Sequence, residues 1–409
     1  MLPREHRAGA APSLFAVALM FVLFAAGCGG SSSTTTNPGG TAPSPTPPPT
    51  PGSGLGVGTA PAQAGFLYGT FGPTVVAGRV TPNGQITDVP MPTDPNSGDT
   101  GFDTGTGGFV DDIATDPKGG RFLYTLDVQT SSFGIPIGEN GIGAFTVNRT
   151  TGELTRVAGS PYKVSFRGGS VAEDGNGVFL FVAGTNANTV DTYSIDQTSG
   201  ALTKTMSLNS SAGDQLSASW DGRFLFNGGN GQVVSYSIAS NGALTQISAV
   251  PVQNVGPIFL SYSGKFIYSV SNNGITAISV SNAGQLTVTQ ASFTATQVAG
   301  GLPRRTIATS RDDRFAFMGT SAANNIGSLQ SFSVDPTTGA IGNPIGSPTT
   351  FAVGQVPLQI TLDFSGKFLY FTFTGINLQT SAVNADGTLG APVINPGQAG
   401  NGDFFELSP

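Results

Sequence analysis

Of the residue types that carry most protein chemistry, this 409-residue chain holds very few: one histidine, His6, and one cysteine, Cys28. Both lie in the first 28 residues. The remainder cannot assemble a Ser-His-Asp triad, a Cys-His pair or an imidazole-ligated metal. Acid–base work falls to Asp, Glu, Lys and Tyr. Arginine is the other resource, because its planar fork holds a carboxylate or phosphate through two hydrogen bonds. Arg167, Arg304 and Arg305, with Asp111, Asp112 and Asp214, each stand near the start of a short strand-like segment of one recurring kind. These six form a candidate set for binding a small acidic ligand. No catalytic residue is assigned, and neither a cofactor nor a metal site is expected.

The elements that would position them come from a repeat. "RFLYTLD" (121–127) returns as "RFLFNGG" from Arg223, "KFIYSVS" from Lys265, "RFAFMGT" from Arg314 and "KFLYFTF" from Lys367. Looser copies begin at Gly65 and Val178. The anchors Phe66, Phe122, Phe179, Phe224, Phe266, Phe315 and Phe368 lie about 40–60 residues apart, the period of propellers and solenoids. Each unit reads as four short strands, with Gly- or Asn-bearing turns such as "NRTTGE", "DQTSGA" and "DPTTGA" before the last. No stretch keeps an apolar period of 3.6 over ten or more residues. The expected fold is all-β: a seven-bladed β-propeller of four-stranded antiparallel blades. In each blade the second strand is buried on both faces. Phe122 and Tyr124 should pack toward one neighbour and Leu123 toward the other.

The first unit lacks an inner strand. "FELSP" (405–409) resembles "IATDP" (113–117), so the C-terminal strand is expected to complete the first blade and close the ring. The six candidate residues would then gather at the channel mouth formed by loops entering the inner strands. The plainer alternative is that these Arg and Asp groups pair with one another and with water. Lys118, Lys265 and Lys367 fall in turns on the opposite face. The Asp- and Gly-rich stretch 99–112 is a weak calcium candidate and a lid or insertion, "NRT" (148–150) a discounted glycosylation acceptor, and Trp220 a packing residue.

Residues 1–28 read as an export signal: Arg4 and Arg7, an apolar run from Leu14 to Ala26, then Ala25-Ala26-Gly27-Cys28, which resembles a bacterial lipobox. Cys28 is the expected lipidation site and the membrane the expected partner. Gly29 after it points to the outer membrane or cell surface. Residues 29–62, rich in Ser, Thr, Pro and Gly, read as a disordered tether, and residues 63–409 as the propeller. The formal net charge of −7 argues against a nucleic-acid partner.

The unit resembles the lactonase family of seven-bladed propellers, which includes 6-phosphogluconolactonases and 3-carboxymuconate-cyclising enzymes. The matching text is "DIATDPKGGRFLYTLD", "GAFTVNRTTGELTRVAGSPY", "DTYSIDQTSGALT" and "SFSVDPTTGAIGNPIGSP". The family places Pro-Arg-His at the entry to an inner strand. Here Pro303 and Arg304 match, Arg305 stands where His is expected, and Met318-Gly319-Thr320 lacks the glutamate that should follow. Three functions stay open: a binding or interaction module recognising an envelope protein or small acidic ligand, a hydrolase of acidic sugar or carboxylate lactones, and a structural surface component.

Overall fold

Phenylalanine opens the second strand of every blade, and its neighbours explain why. The computed structural model describes residues 65–93, 100–128, 140–185, 187–271, 274–294, 306–321, 326–373, 376–395 and 405–408. Among them there is no helix, and seven antiparallel sheets follow one another around a ring. Blade 2 shows the pattern: Phe109–Thr115 innermost, then Phe122–Val128, Gly141–Val147 and Leu154–Arg156. The inner strands of blades 3 to 7 are Arg167–Glu173, Gln215–Ala218, Ile258–Leu260, Ile307–Thr309 and Pro357–Leu362.

Blade 1 takes its inner strand from the C-terminus, as expected from the likeness of its two sequence fragments. Phe405–Ser408 pairs antiparallel with Phe66–Phe71, setting Leu67 against Leu407 and Tyr68 against Glu406. Thr115 Oγ1 of blade 2 donates to the Leu407 carbonyl at 3.1 Å, tying that strand to its other neighbour. The stretch after Asp99 proves partly structural: Phe102–Asp103 continues blade 1's outer edge beyond Ile86–Asp88 by pairing with Thr74–Val80. Blade 2's outer edge is split the same way, Tyr162–Lys163 resuming what Leu154–Arg156 began.

The two faces of the second strand pack as expected. Phe122 and Tyr124 join the core shared with Leu180, Tyr193 and Leu202 of blade 3, while Leu123 turns back to Phe66 and Tyr68 of blade 1. Burying such a side chain contributes about 1.5–3 kcal/mol. Each phenylalanine is also keyed into the next blade. A Cβ built on Gly152, Gly200, Gly242, Gly284, Gly339 or Gly387 would lie under 3.0 Å from the ring of the phenylalanine one blade earlier. Gly84 meets Phe368 in this way across the ring closure. The turn glycines are therefore sockets, and their lack of a side chain is what admits the ring.

A hydroxyl usually completes the junction. Tyr68, Tyr124, Tyr268 and Tyr370 donate to the carbonyls of Gly152, Gly200, Gly339 and Gly84 at 2.9–3.0 Å. Blades 3 and 4 carry Phe181 and Phe226 instead, and the hydroxyl moves to the residue opposite on the next strand. Thr192, opposite Phe181, reaches Gly242 O at 3.5 Å, and Ser235, opposite Phe226, reaches Gly284 O at 2.7 Å. In blade 6, Ser331 stands opposite Phe317, but its hydroxyl has no partner. Arginine before the phenylalanine adds a second contact: the guanidinium of Arg121, Arg223 or Arg314 lies 4.8–5.1 Å over the following ring.

Candidate functional site

Four members of the sequence-predicted set are described, Asp111, Asp112, Arg167 and Asp214, and the first three meet where blade 2 joins blade 3. Asp111 and Asp112 lie on the inner strand of blade 2 and reach the start of blade 3. Asp111 Oδ2 accepts from the Gly169 amide at 2.8 Å. Asp112 Oδ2 accepts from Ser170 Oγ and the Val171 amide at 2.8 and 2.9 Å. The register slips between Arg167 and Gly169, and a Cβ on Gly169 would collide with the Ala183 carbonyl, so the bulge requires glycine. These carboxylates latch two blades together and set the position of Arg167. That arginine is exposed, and its side chain makes no hydrogen bond or ion pair with the described residues. Asp214, one blade further on, accepts from Gln215 Nε2 at 3.2 Å. Arg304 and Arg305 lie outside the described residues, as does Cys28.

Two weaker candidates are occupied locally. Asp103 accepts from the Gly105 amide at 2.9 Å and faces Arg156 at 3.6 Å. Asn148 accepts from the Thr150 and Thr151 amides, closing its own turn.

The other end of the channel holds a cavity of about 180 Å³ whose lining draws on every inner strand. The last residue before each turn is among its lining. Thr115, Ala218, Leu260, Thr309, Leu362 and Leu407 occupy that place in six blades, and Glu173 in blade 3. Glu173 is 7% exposed, and neither carboxyl oxygen has a hydrogen-bond partner. Burial, then the charges of Asp116 and Asp174, push its pKa well above the usual carboxylate range, against a smaller opposing effect of Arg121. Arg121 is itself held by Asp116, Nε to Oδ2 at 2.7 Å.

An aromatic stack borders this cavity. Trp220 and Tyr262, from the turns of blades 4 and 5, lie 5.9 Å apart with rings 20° from parallel. Tyr262 Oη donates to the Leu362 carbonyl of blade 7 at 3.0 Å, so the tyrosine reaches past blade 6. Arg311 of blade 6 lies 5.2 Å over the same ring. Trp220 does pack, as expected, yet is 40% exposed. Glu173 was missed by sequence reasoning. The signal is visible once the repeats are aligned on the turn-capping residue that follows: an acid stands where the other blades have Thr, Ala or Leu.

Comparison with known proteins agrees with this architecture. Residues 104–216 match the sequence model of the family described as lactonase, 7-bladed beta-propeller. No curated protein matches the chain by sequence. Among solved structures, a presumed 6-phosphogluconolactonase from Bacteroides fragilis is 16% identical with a TM-score of 0.63, over 86% of this chain and 99% of that one. A second, from Bacteroides uniformis, is 16% identical with a TM-score of 0.65, over 85% and 100%. A protein from Lactobacillus plantarum is 17% identical with a TM-score of 0.60, over 85% and 100%. Likeness at such identities speaks to the fold. The ring of seven blades and the match over residues 104–216 make the chain a seven-bladed β-propeller with a segment similar to the lactonase family.

Proposed function

We propose that the chain is a lipid-anchored, extracytoplasmic propeller of the cell envelope that binds an acidic ligand or envelope partner at the channel mouth bearing Arg167. The observation that carries this reading is the contrast at that mouth. Asp111 and Asp112 are committed to latching blades, while the guanidinium of Arg167 is exposed and uncommitted. Arg304 and Arg305 are proposed to join it on grounds of sequence. Cys28 supplies the anchor and residues 29–62 the tether. The sequence offers no histidine or cysteine beyond residue 28 for nucleophilic or imidazole-based chemistry.

A second reading, hydrolysis of an acidic sugar or carboxylate lactone, draws on the family match over residues 104–216 and on the names given to the two Bacteroides structures. One experiment separates the two. The full chain is mixed with 6-phosphogluconolactone to measure turnover, and with 6-phosphogluconate to measure affinity by calorimetry. Binding without turnover, weakened about tenfold in Arg167→Ala, is the expected result; tenfold corresponds to about 1.4 kcal/mol, the scale of one charged hydrogen bond. Turnover above the spontaneous rate favours the hydrolase. Failure of Arg167→Ala to weaken binding would remove Arg167 from the site. Envelope fractionation of wild type and Cys28→Ser tests the anchor, which should be lost in the variant.

A further inference from the structure

The cavity at the far end of the channel is built from strand edges. Each inner strand ends the order of its sheet, so one of its edges has no strand beside it. The peptide N–H and C=O groups of those edges ring the channel and need partners, from water or from a guest. Free charge is absent from the lining, which contains no Lys or Arg. Of its two acids, Glu173 has both carboxyl oxygens buried out of reach, and Glu406 is engaged by protein groups. Ser217 in blade 4 and Thr361 in blade 7 are half-buried, line the cavity, and make no side-chain hydrogen bond with the described residues.

Trp220 adds a flat apolar surface to this neutral ring of donors and acceptors. It lines the cavity and is 40% exposed. Its indole is held in place: Nε1 reaches the Ser261 carbonyl at 3.4 Å, and the ring stacks on Tyr262, which is pinned to blade 7 through its hydroxyl and lies under Arg311. A platform fixed beforehand loses little freedom when a guest lies on it. The geometry points to a site for an uncharged pyranose, its C–H face laid on the Trp220 indole and its hydroxyls met by the strand edges, Ser217 and Thr361. The C–H groups of such a ring are drawn to the electron-rich face of the indole. Its hydroxyls both donate and accept, as a ring of peptide groups requires. An aromatic hydrocarbon would leave those groups unsatisfied, while an anion finds no guanidinium or ammonium in the lining and a cation no free carboxylate. Cavities near 150 Å³ accept one six-membered ring, so about 180 Å³ suits a single pyranose. This site lies at the opposite end of the channel from the Arg167 mouth and is independent of that reading.

Trp220 is the only tryptophan of the chain, so its fluorescence reports on the cavity without labelling. The full chain is titrated with methyl β-D-glucopyranoside and methyl β-D-galactopyranoside, and in parallel with gluconate and phenol. A saturable change in emission with at least one glycoside is expected, with gluconate and phenol at least tenfold weaker. Saturation-transfer NMR follows the same glycoside on variants: Trp220→Ala should weaken it at least tenfold and Thr361→Val by a few-fold. Arg167→Ala should leave glycoside binding intact, which separates this site from the proposed mouth. No saturable response to either glycoside, or gluconate or phenol binding as tightly, overturns the proposal. So does undiminished glycoside binding by a folded Trp220→Ala. Should that variant not fold, the comparison of glycosides with phenol and gluconate on wild-type protein decides.

Discussion

Replacing Gly200 by alanine tests the phenylalanine socket directly. The added Cβ would lie 2.6 Å from Phe122 Cδ1 and 2.9 Å from Cε1, and Phe122 is 3% exposed, so its ring has little room to retreat. Gly200 also has φ +76°, a left-handed conformation that costs a residue with a Cβ about 1–2 kcal/mol. Overpacking a tight core adds about 1–3 kcal/mol. Gly354 isolates the backbone part: its φ is +85°, and nothing lies within 4 Å of where its Cβ would be. The expected losses are about 2–5 kcal/mol for Gly200→Ala and about 1–2 kcal/mol for Gly354→Ala. At roughly 2 °C per kcal/mol for a domain of this size, thermal unfolding followed by circular dichroism should show ~4–10 °C against ~2–4 °C. In a Phe122→Leu background the excess at Gly200 should shrink, because the shorter side chain vacates the socket. Equal shifts for the two alanines, or an excess that persists once the ring has been replaced by leucine, would refute the interlock.

Other consequences are as open to measurement. Leu407, 5% exposed, packs with Leu67 and Tyr370 at the ring closure; Leu407→Ala should cost about 2–5 kcal/mol in chemical denaturation, and an unchanged midpoint would contradict closure by the C-terminal strand. Burial pushes the carboxyl of Asp127 up to about 6 from an ordinary 3.8, while the Thr106 hydroxyl donates to it at 2.7 Å. Its ionisation therefore opposes folding: the contribution of this one carboxyl is fully present below about pH 4 and is lost as pH rises through 6, by roughly 3 kcal/mol in all. Asp127→Asn should flatten that slope in melting curves between pH 4 and 7.5, and parallel curves for the two proteins would count against it. Glu173 implies a related dependence: burial, with the charges of Asp116 and Asp174, disfavours its ionisation, so Glu173→Gln should also flatten the fall of stability with rising pH, and parallel curves would count against that.

The fold was legible because its signal is repeated. Seven phenylalanines and a glycine in each following turn mark the blades, and the likeness of "FELSP" to "IATDP" supplies the missing strand. The partnership between them was not legible. That Phe122 meets Gly200 depends on a contact between blades, and no local pattern encodes it. The interchange of Tyr with Phe in the second strand also looked like neutral variation. Strand register shows that Thr192 or Ser235 supplies the hydroxyl that Phe181 or Phe226 lacks. At the site, polar residues before the inner strands drew notice because loops at a channel mouth invite ligands. Two of them, Asp111 and Asp112, turned out to join blades. Glu173 escaped because its strand, "RGGSVAE", reads as ordinary, and burial of a carboxyl is a property of the assembled ring.

The socket contact runs one way only, from each blade to its successor, and the final blade addresses the first in the same manner. Every unit thus carries both halves of a single standard coupling. Adding or removing one unit would call for no new interface, only a different wedge angle between neighbours. The number of blades is then a matter of curvature, which a lineage of such rings can alter by duplication while keeping its joinery unchanged.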